Sequence, residues 1–405
     1  MADISTCPPL TRASVVAAHD IIRPFVHRTP VLTNRTLDSI ASTPQKLETP
    51  QDSSSTAPAP APANPTFRLW FKCENLQRIG AFKARGAFHA VERLKMEPGW
   101  EEAGGFAKGV VTHSSGNHAQ ALALAAKTAG MPAHIVMPKI SAPPKVAATR
   151  GYGANVIFSG STAVEREAVA ADVIAKTGAR LVPPYDHPDI ILGQGTVGLE
   201  LQEQVAEAKA NAPTSVAGGV SPTGLLYAPT TRTSDETSDA AAASPALDAI
   251  VAPCGGGGLL SGIVLSAQGT GVRVFGAEPQ LDGADDCRRG LAQGKRIEAV
   301  STLTIADGLR TPVGVYNFKI LSGEQGVDGV YSVTEDEIKA ALRLLLERLK
   351  VVVEPSSAVP LAVILFNEEF RRRVEEEAGP KGWDVGVVLS GGNISLEAFG
   401  KLFAE

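Results

Sequence analysis

The feature that most constrains this chain is a regular alternation of short apolar segments with longer helical ones, punctuated by Gly and Pro. His118–Gly130 (HAQALALAAKTAG) reads as an alanine-rich helix, and AHIVMP, starting at Ala133, as a short buried strand. Pro143–Gly151 then reads as a helix, Asn155–Phe158 as a strand, Thr162–Thr177 as a helix and Ala179–Val182 as a strand. Such alternation is the signature of a parallel sheet covered by helices. The pattern returns in ALDAIVAPCGGGG, in VRVFGAEP and, from Val385, in VGVVLSGGN. Glu335–Lys350 reads as an amphipathic helix with Thr334 as its N-cap. The fold class is therefore α/β.

Two segments break the pattern. About 43–65 contains DSSSTAPAPAPANP, and about 208–245 contains TTRTSDETSDAAAASP. The first has almost nothing to bury and the second lacks hydrophobic periodicity, so both read as insertions decorating a core fold. The 405 residues suggest two or three domains. A hydrophobic share of 44% with 20% charged residues excludes global disorder. The net charge of -5 argues against nucleic-acid and anionic-membrane partners, which need a basic face. The four cysteines (Cys7, Cys73, Cys254, Cys287) form no disulfide framework and no CxxC pair, which argues against a structural zinc site. A reduced, cytoplasmic setting is expected. No apolar run reaches the roughly 18–20 residues of a membrane span. The N-terminal residues carry no secretory signal pattern and are not rich in arginine.

Four groups could carry chemistry. Gly255, Gly256, Gly257 and Gly258 follow the strand AIVAPC and precede a helix start, an arrangement that suits a phosphate but also serves as a flexible turn. Ser114, Ser115, Gly116, Asn117 and His118 link a strand to a helix, so Ser115 or Asn117 is either an N-cap or a ligand contact. Lys83, beside Phe82 in GAFKARGA, is either a surface lysine or a desolvated amine suited to Schiff-base chemistry. Ser390 opens SGGN at the carboxyl end of a buried strand, the edge where open α/β sheets bind ligands, or a simple strand-ending turn.

Together and in this order, the four groups resemble the pyridoxal-phosphate enzymes of the tryptophan-synthase-β fold (fold type II). Within them the chain is most similar to the serine racemase and serine/threonine dehydratase branch. The resemblance runs from VHRTPVLTN to LSGGN and leaves out the two insertions. It implies two open parallel-sheet α/β domains with the cofactor in the cleft between them. Residues 109–186 would form the small domain; 1–108 and 187–405 would form the large one. Lys83 would hold pyridoxal 5'-phosphate as a Schiff base, with Phe82 against its ring. Asn117 would bond the ring hydroxyl, and Ser390 would face the ring nitrogen. Gly255–Gly258 and Leu259 would hold the phosphate, with Gly308 and Glu354 close by. The substrate carboxylate would rest on the turn Ser114, Ser115, Gly116, Asn117 and His118, with Arg166 on the carboxylate side.

The same resemblance implies β-elimination. Lys83 would take the α-proton, hydroxide would leave, and hydrolysis would yield a 2-oxo acid and ammonia. Ser115, on the opposite face of the α-carbon, permits racemisation of serine as well. Glu278, the Ala284 carbonyl and Asp286 resemble a Mg2+ or Ca2+ site, in a loop two residues longer than the racemase pattern. ATP is an activator the resemblance allows. Tyr185 stands where the racemase has asparagine. A homodimer acting on a small amino acid is expected. The alternatives are a 3-hydroxyaspartate dehydratase, a β-replacing enzyme of the cysteine-synthase type and a non-catalytic cofactor-binding regulator. With about a dozen residues after LSGGN, no C-terminal regulatory domain is expected.

Overall fold

The computed structural model describes residues 4–45, 61–114, 116–141, 143–211 and 245–404. Most of the two insertions, and Ser115, lie outside the described residues. The strands in chain order are β1 (Val31–Leu32), β2 (Phe67–Cys73), β3 (Val110–His113), β4 (Ala133–Pro138), β5 (Asn155–Ser159), β6 (Arg180–Leu181), β7 (Ala249–Pro253), β8 (Arg273–Pro279), β9 (Gly329–Val333) and β10 (Trp383–Leu389). They build two sheets. One has six strands in the order β1-β2-β10-β7-β8-β9, and the other has four in the order β5-β4-β3-β6. Every pairing is parallel except β1 with β2.

The large sheet explains its own apolar strands. In β7, Ala249 and Val251 face one core while Ile250 and Ala252 face another. Both faces are covered by helices, so the strand is apolar at every position rather than at alternate ones. One face packs on helix Pro355–Phe366, which is buried from Pro355 to Leu365. The other packs on helices Pro188–Ala210 and Gly258–Ala267. The small sheet shares a core with helices Lys83–Lys95 and Asn117–Thr128, through Phe88, Val91, Leu94, Ala119 and Leu122. Helix Lys83–Lys95 also crosses helix Pro188–Ala210, where a Cβ on Gly193 would stand 2.7 Å from the Gly86 Cα. Only glycine permits that approach.

Two sequence expectations are corrected. Helix Pro188–Ala210 runs on through the expected start of the second insertion at 208, because Val205 still has a core to pack against. The helix expected over Glu335–Lys350 is α-helical only to Leu344. Its Leu345–Leu349 turn is a π-helix, and Lys350 closes it at φ 66°. Thr334 caps it as expected, in a reciprocal pair with Glu337. Among the described residues no helix is long and apolar enough to cross a membrane.

Candidate active site

Three chain segments meet at the carboxyl edge of the large sheet. The turn leaving β10 is stitched to the segment before Lys83. The Phe82 N–H donates to the Ser390 carbonyl at 3.0 Å, and the Gly392 N–H donates to the Gly80 carbonyl at 2.9 Å. Ala81 and Gly391 form an antiparallel bridge. Lys83 therefore opens its helix from a base anchored on the sheet, and half-buried Phe82 packs on the apolar core beneath.

The Lys83 ammonium donates to the Pro184 carbonyl at 2.6 Å and lies 5.2 Å from the Phe82 ring centre. Burial lowers its pKa to about 8, and the Glu354 carboxylate opposes that shift. Such an amine is partly neutral near physiological pH, as a nucleophile must be. Glu354 N-caps helix Pro355–Phe366, and burial raises its pKa to about 7. Both its oxygens accept from the Asn117 amide, at 3.0 and 3.2 Å. The Asn117 Oδ1 in turn accepts from Asn393 Nδ2 at 2.8 Å. Ser390 is buried, with its hydroxyl 3.0 Å from that of Ser357. The Gly308 N–H donates to Ser356 Oγ at 3.1 Å, beside Glu354.

The four glycines sit between β7 and helix Gly258–Ala267. Their carbonyls are occupied: Gly256 O accepts from the Gly314 N–H at 3.1 Å and from Asn317 Nδ2 at 2.8 Å. Their N–H groups are not. Among the described residues, none of the N–H groups of Gly255 to Leu259 donates a hydrogen bond. A row of free donors at a helix N-terminus is an anion cradle. A Cβ on Gly256 would stand 2.5 Å from the Tyr185 ring, so only glycine lets Tyr185 lie against the loop. Because Pro184 accepts from Lys83, lysine and cradle are joined through two consecutive residues.

Other expected residues are placed differently. Ser114 Oγ accepts from the Gly116 N–H at 3.4 Å at the turn before helix Asn117–Thr128. The His118 side chain points inward, with Nε2 3.2 Å from the Val182 carbonyl. Burial, with Lys83, lowers its pKa to about 3, so the ring is neutral. Arg166 donates to the Ser161 carbonyl at 2.9 Å, just ahead of its own helix Ala163–Thr177, and no described bond joins it to the Lys83 group. Buried Glu278, near the end of β8, accepts from the N–H groups of Cys287 and Arg288 at 3.1 and 3.0 Å. Asp286 Oδ2 accepts from the Val313 N–H at 2.9 Å. Burial raises both carboxyls, Asp286 to about 6. The Ala284 carbonyl accepts no hydrogen bond from the described residues.

A family model described as pyridoxal-phosphate dependent enzyme matches residues 55–228 and 230–391. The chain belongs to the pyridoxal-phosphate dependent enzyme family. It is 40% identical to a serine racemase of Arabidopsis thaliana, over 95% of this chain and 93% of that protein. It is 35% identical to an L-threo-3-hydroxyaspartate ammonia-lyase of Saccharomyces cerevisiae, over 97% of this chain and 96% of that protein. Among solved structures, maize serine racemase superposes with a TM-score of 0.74 at 35% identity, covering 96% of each chain. The fold is that of fold type II pyridoxal-phosphate enzymes.

The residues of this enzyme fit its cofactor. The free N–H row matches a phosphate, and the lowered amine of Lys83 matches an aldehyde. Sequence reasoning missed Ser357 and Pro184, and gave Asn393 no role. The serine pair in EPSSA was the one visible signal. Pro184 acts through its backbone, which leaves no trace in side-chain identity.

Proposed function

We propose that this enzyme eliminates water from L-serine and L-threonine to give a 2-oxo acid and ammonia, with racemisation of serine as a second outcome. The observation that carries the reading is the half-buried Lys83 amine, lowered to about 8 and tied through Pro184 and Tyr185 to the free N–H row of Gly255–Leu259. Pyridoxal phosphate, held by the N–H row and Lys83, would supply an electron sink at the substrate α-carbon.

The chain's own residues do the rest. The N–H row holds the phosphate. The turn before helix Asn117–Thr128 receives the substrate carboxylate. The neutral form of Lys83 takes the α-proton. Ser390, a neutral hydroxyl partnered by Ser357, would bring no charge to a ring nitrogen held there. That favours loss of a β-hydroxyl over a long-lived carbanion. Ser115 supplies an acid or base on the opposite face. Glu354, at about 7, carries a proton through part of the neutral range beside Asn117.

Glu278, Asp286 and the unused Ala284 carbonyl suit a hard cation such as Mg2+ or Ca2+. A cytoplasmic homodimer belongs to the same proposal. The relative named for L-threo-3-hydroxyaspartate favours a second reading as a dehydratase of that substrate.

Supplying L-serine, L-threonine and L-threo-3-hydroxyaspartate separately, and measuring oxo acid, ammonia and the D-enantiomer, tests both readings. Oxo acid from serine or threonine is expected; oxo acid from hydroxyaspartate alone selects the second reading. No turnover of any of the three overturns both. Ser115→Ala is expected to abolish formation of D-serine while leaving elimination from L-serine largely intact. Equal loss of the two activities removes Ser115 from the opposite face.

A further inference from the structure

Directly behind the glycine loop, two cysteines that the proposed reaction does not use stand against Glu278. Cys254 links β7 to Gly255, Glu278 is near the end of β8, and Cys287 is the second residue of helix Asp286–Gln293. Their two sulfur atoms and a Glu278 carboxylate oxygen all lie within 4.8 Å of one another. All three residues are 0–1% exposed. The backbone holds them in register. The Cys254 N–H donates to the Ala277 carbonyl at 2.9 Å, one residue before Glu278. The Cys287 N–H donates to Glu278 Oε1 at 3.1 Å.

We propose that Cys254, Glu278 and Cys287 form a binding site for a thiophilic divalent cation of the zinc class. Zinc takes thiolate sulfur at about 2.3 Å and carboxylate oxygen at about 2.0–2.2 Å in a tetrahedron. Two sulfurs on such an ion stand about 3.8 Å apart, within the span of this cluster. Each Glu278 oxygen that accepts one backbone N–H keeps a lone pair for a metal. A water fills the fourth position. Magnesium and calcium select oxygen donors, so two sulfurs choose against them.

The sequence pattern hides this site because its ligands come from three separate elements rather than from a CxxC pair. The ion would tie the residue before the glycine loop to the start of helix Asp286–Gln293. It would also take Glu278 from the hard-cation set, so the two kinds of ion compete for one carboxylate. The proposal does not depend on which amino acid the enzyme uses.

The test uses the full-length holoenzyme freed of metal, with Cd2+ and Co2+ as probes read by difference spectroscopy. One equivalent is expected to give a sulfur-to-metal charge-transfer band, and Zn2+ is expected to remove the Co2+ signal. Cys254→Ser and Cys287→Ser should each halve the band, and the double variant should lose it. Glu278→Gln should keep the band but weaken affinity at least tenfold, which reads the site even where a cysteine variant fails to fold. Absence of a band at one equivalent overturns the proposal. So does a band of full strength in the double variant, which would move the sulfur ligands to Cys7 or Cys73.

Discussion

At the scale of single residues, Lys83 and Glu354 carry opposite charges in one site, and burial pushes each toward its neutral form. Burial pushes the Glu354 carboxyl up to about 7 in the folded protein, from an ordinary value of 4.5. Between those values the folded state binds the extra proton, so stability falls as pH rises through the window and stays low above 7. The full penalty is up to about 3 kcal/mol. Glu354→Gln is therefore expected to make the cofactor-free protein more stable than wild type above pH 7 and no more stable at pH 4.5. Denaturant unfolding across pH 4.5–8 checks this, and a gap independent of pH would show that Glu354 is ionised throughout. The same substitution removes the charge that raises the Lys83 pKa, so the lysine should titrate lower still. Lys83 and Ser390 stood out in the sequence as residue types in suggestive settings. Glu354 did so only through the family resemblance, because nothing in VVVEPSSA says that its glutamate turns inward to meet Asn117 from 237 positions away.

At the scale of elements, the glycine loop is the most demanding piece of the site. Its N–H groups stay free only because Gly314 and Asn317 hold the carbonyl side, while Asp186 anchors the backbone of Val315 and Tyr316 at 2.8 and 2.9 Å. Gly256→Ala forces a methyl group to 2.5 Å from the Tyr185 ring. Overpacking of this kind costs about 1–3 kcal/mol. Because Tyr185 follows the carbonyl that binds Lys83, displacing the ring should weaken cofactor binding at least tenfold, read by titrating pyridoxal phosphate into the cofactor-free variant. Unchanged affinity would show that Tyr185 moves freely off the loop. The strands β4, β5, β7 and β8 were legible because apolar runs bounded by Gly and Pro have few other uses. Helix Pro355–Phe366 was not. It is apolar on every side and contains Pro360, so it shows no helical periodicity. The π-helical turn at Leu345–Leu349 was equally hidden, since the apolar spacing continues through it.

At the scale of the whole molecule, the strand order could not be read from the chain, because β10 inserts between β2 and β7 from more than 130 residues away. Nor could the charges that fasten this arrangement. Lys72, Glu74, Arg85 and Glu200 look like surface residues in the sequence, yet each is 0–1% exposed. The Lys72 ammonium donates to Glu200 at 2.7 Å, to Gln204 at 2.8 Å and to the Thr29 carbonyl at 2.9 Å. The Arg85 guanidinium bridges Glu74 and Glu200, with two bonds of 2.8 Å to each. Burial opposes ionisation of Glu200, but Arg85 and Lys72 outweigh it and hold the carboxyl well below its usual range. The network joins β2, helix Pro188–Ala210 and the helix that begins at Lys83, two residues from Arg85. Arg85→Met leaves two buried carboxylates facing one lysine, so a loss of about 3–5 kcal/mol is expected. Arg85→Met with Glu200→Gln restores the charge balance between Lys72 and Glu74, and should lose less than the sum of the two single variants. Denaturant unfolding of the three variants checks this. Strict additivity would show that the charges act separately. A loss below about 1 kcal/mol in Arg85→Met would show that the helix carrying Lys83 is held by its apolar face alone, through Phe88, Val91 and Leu94.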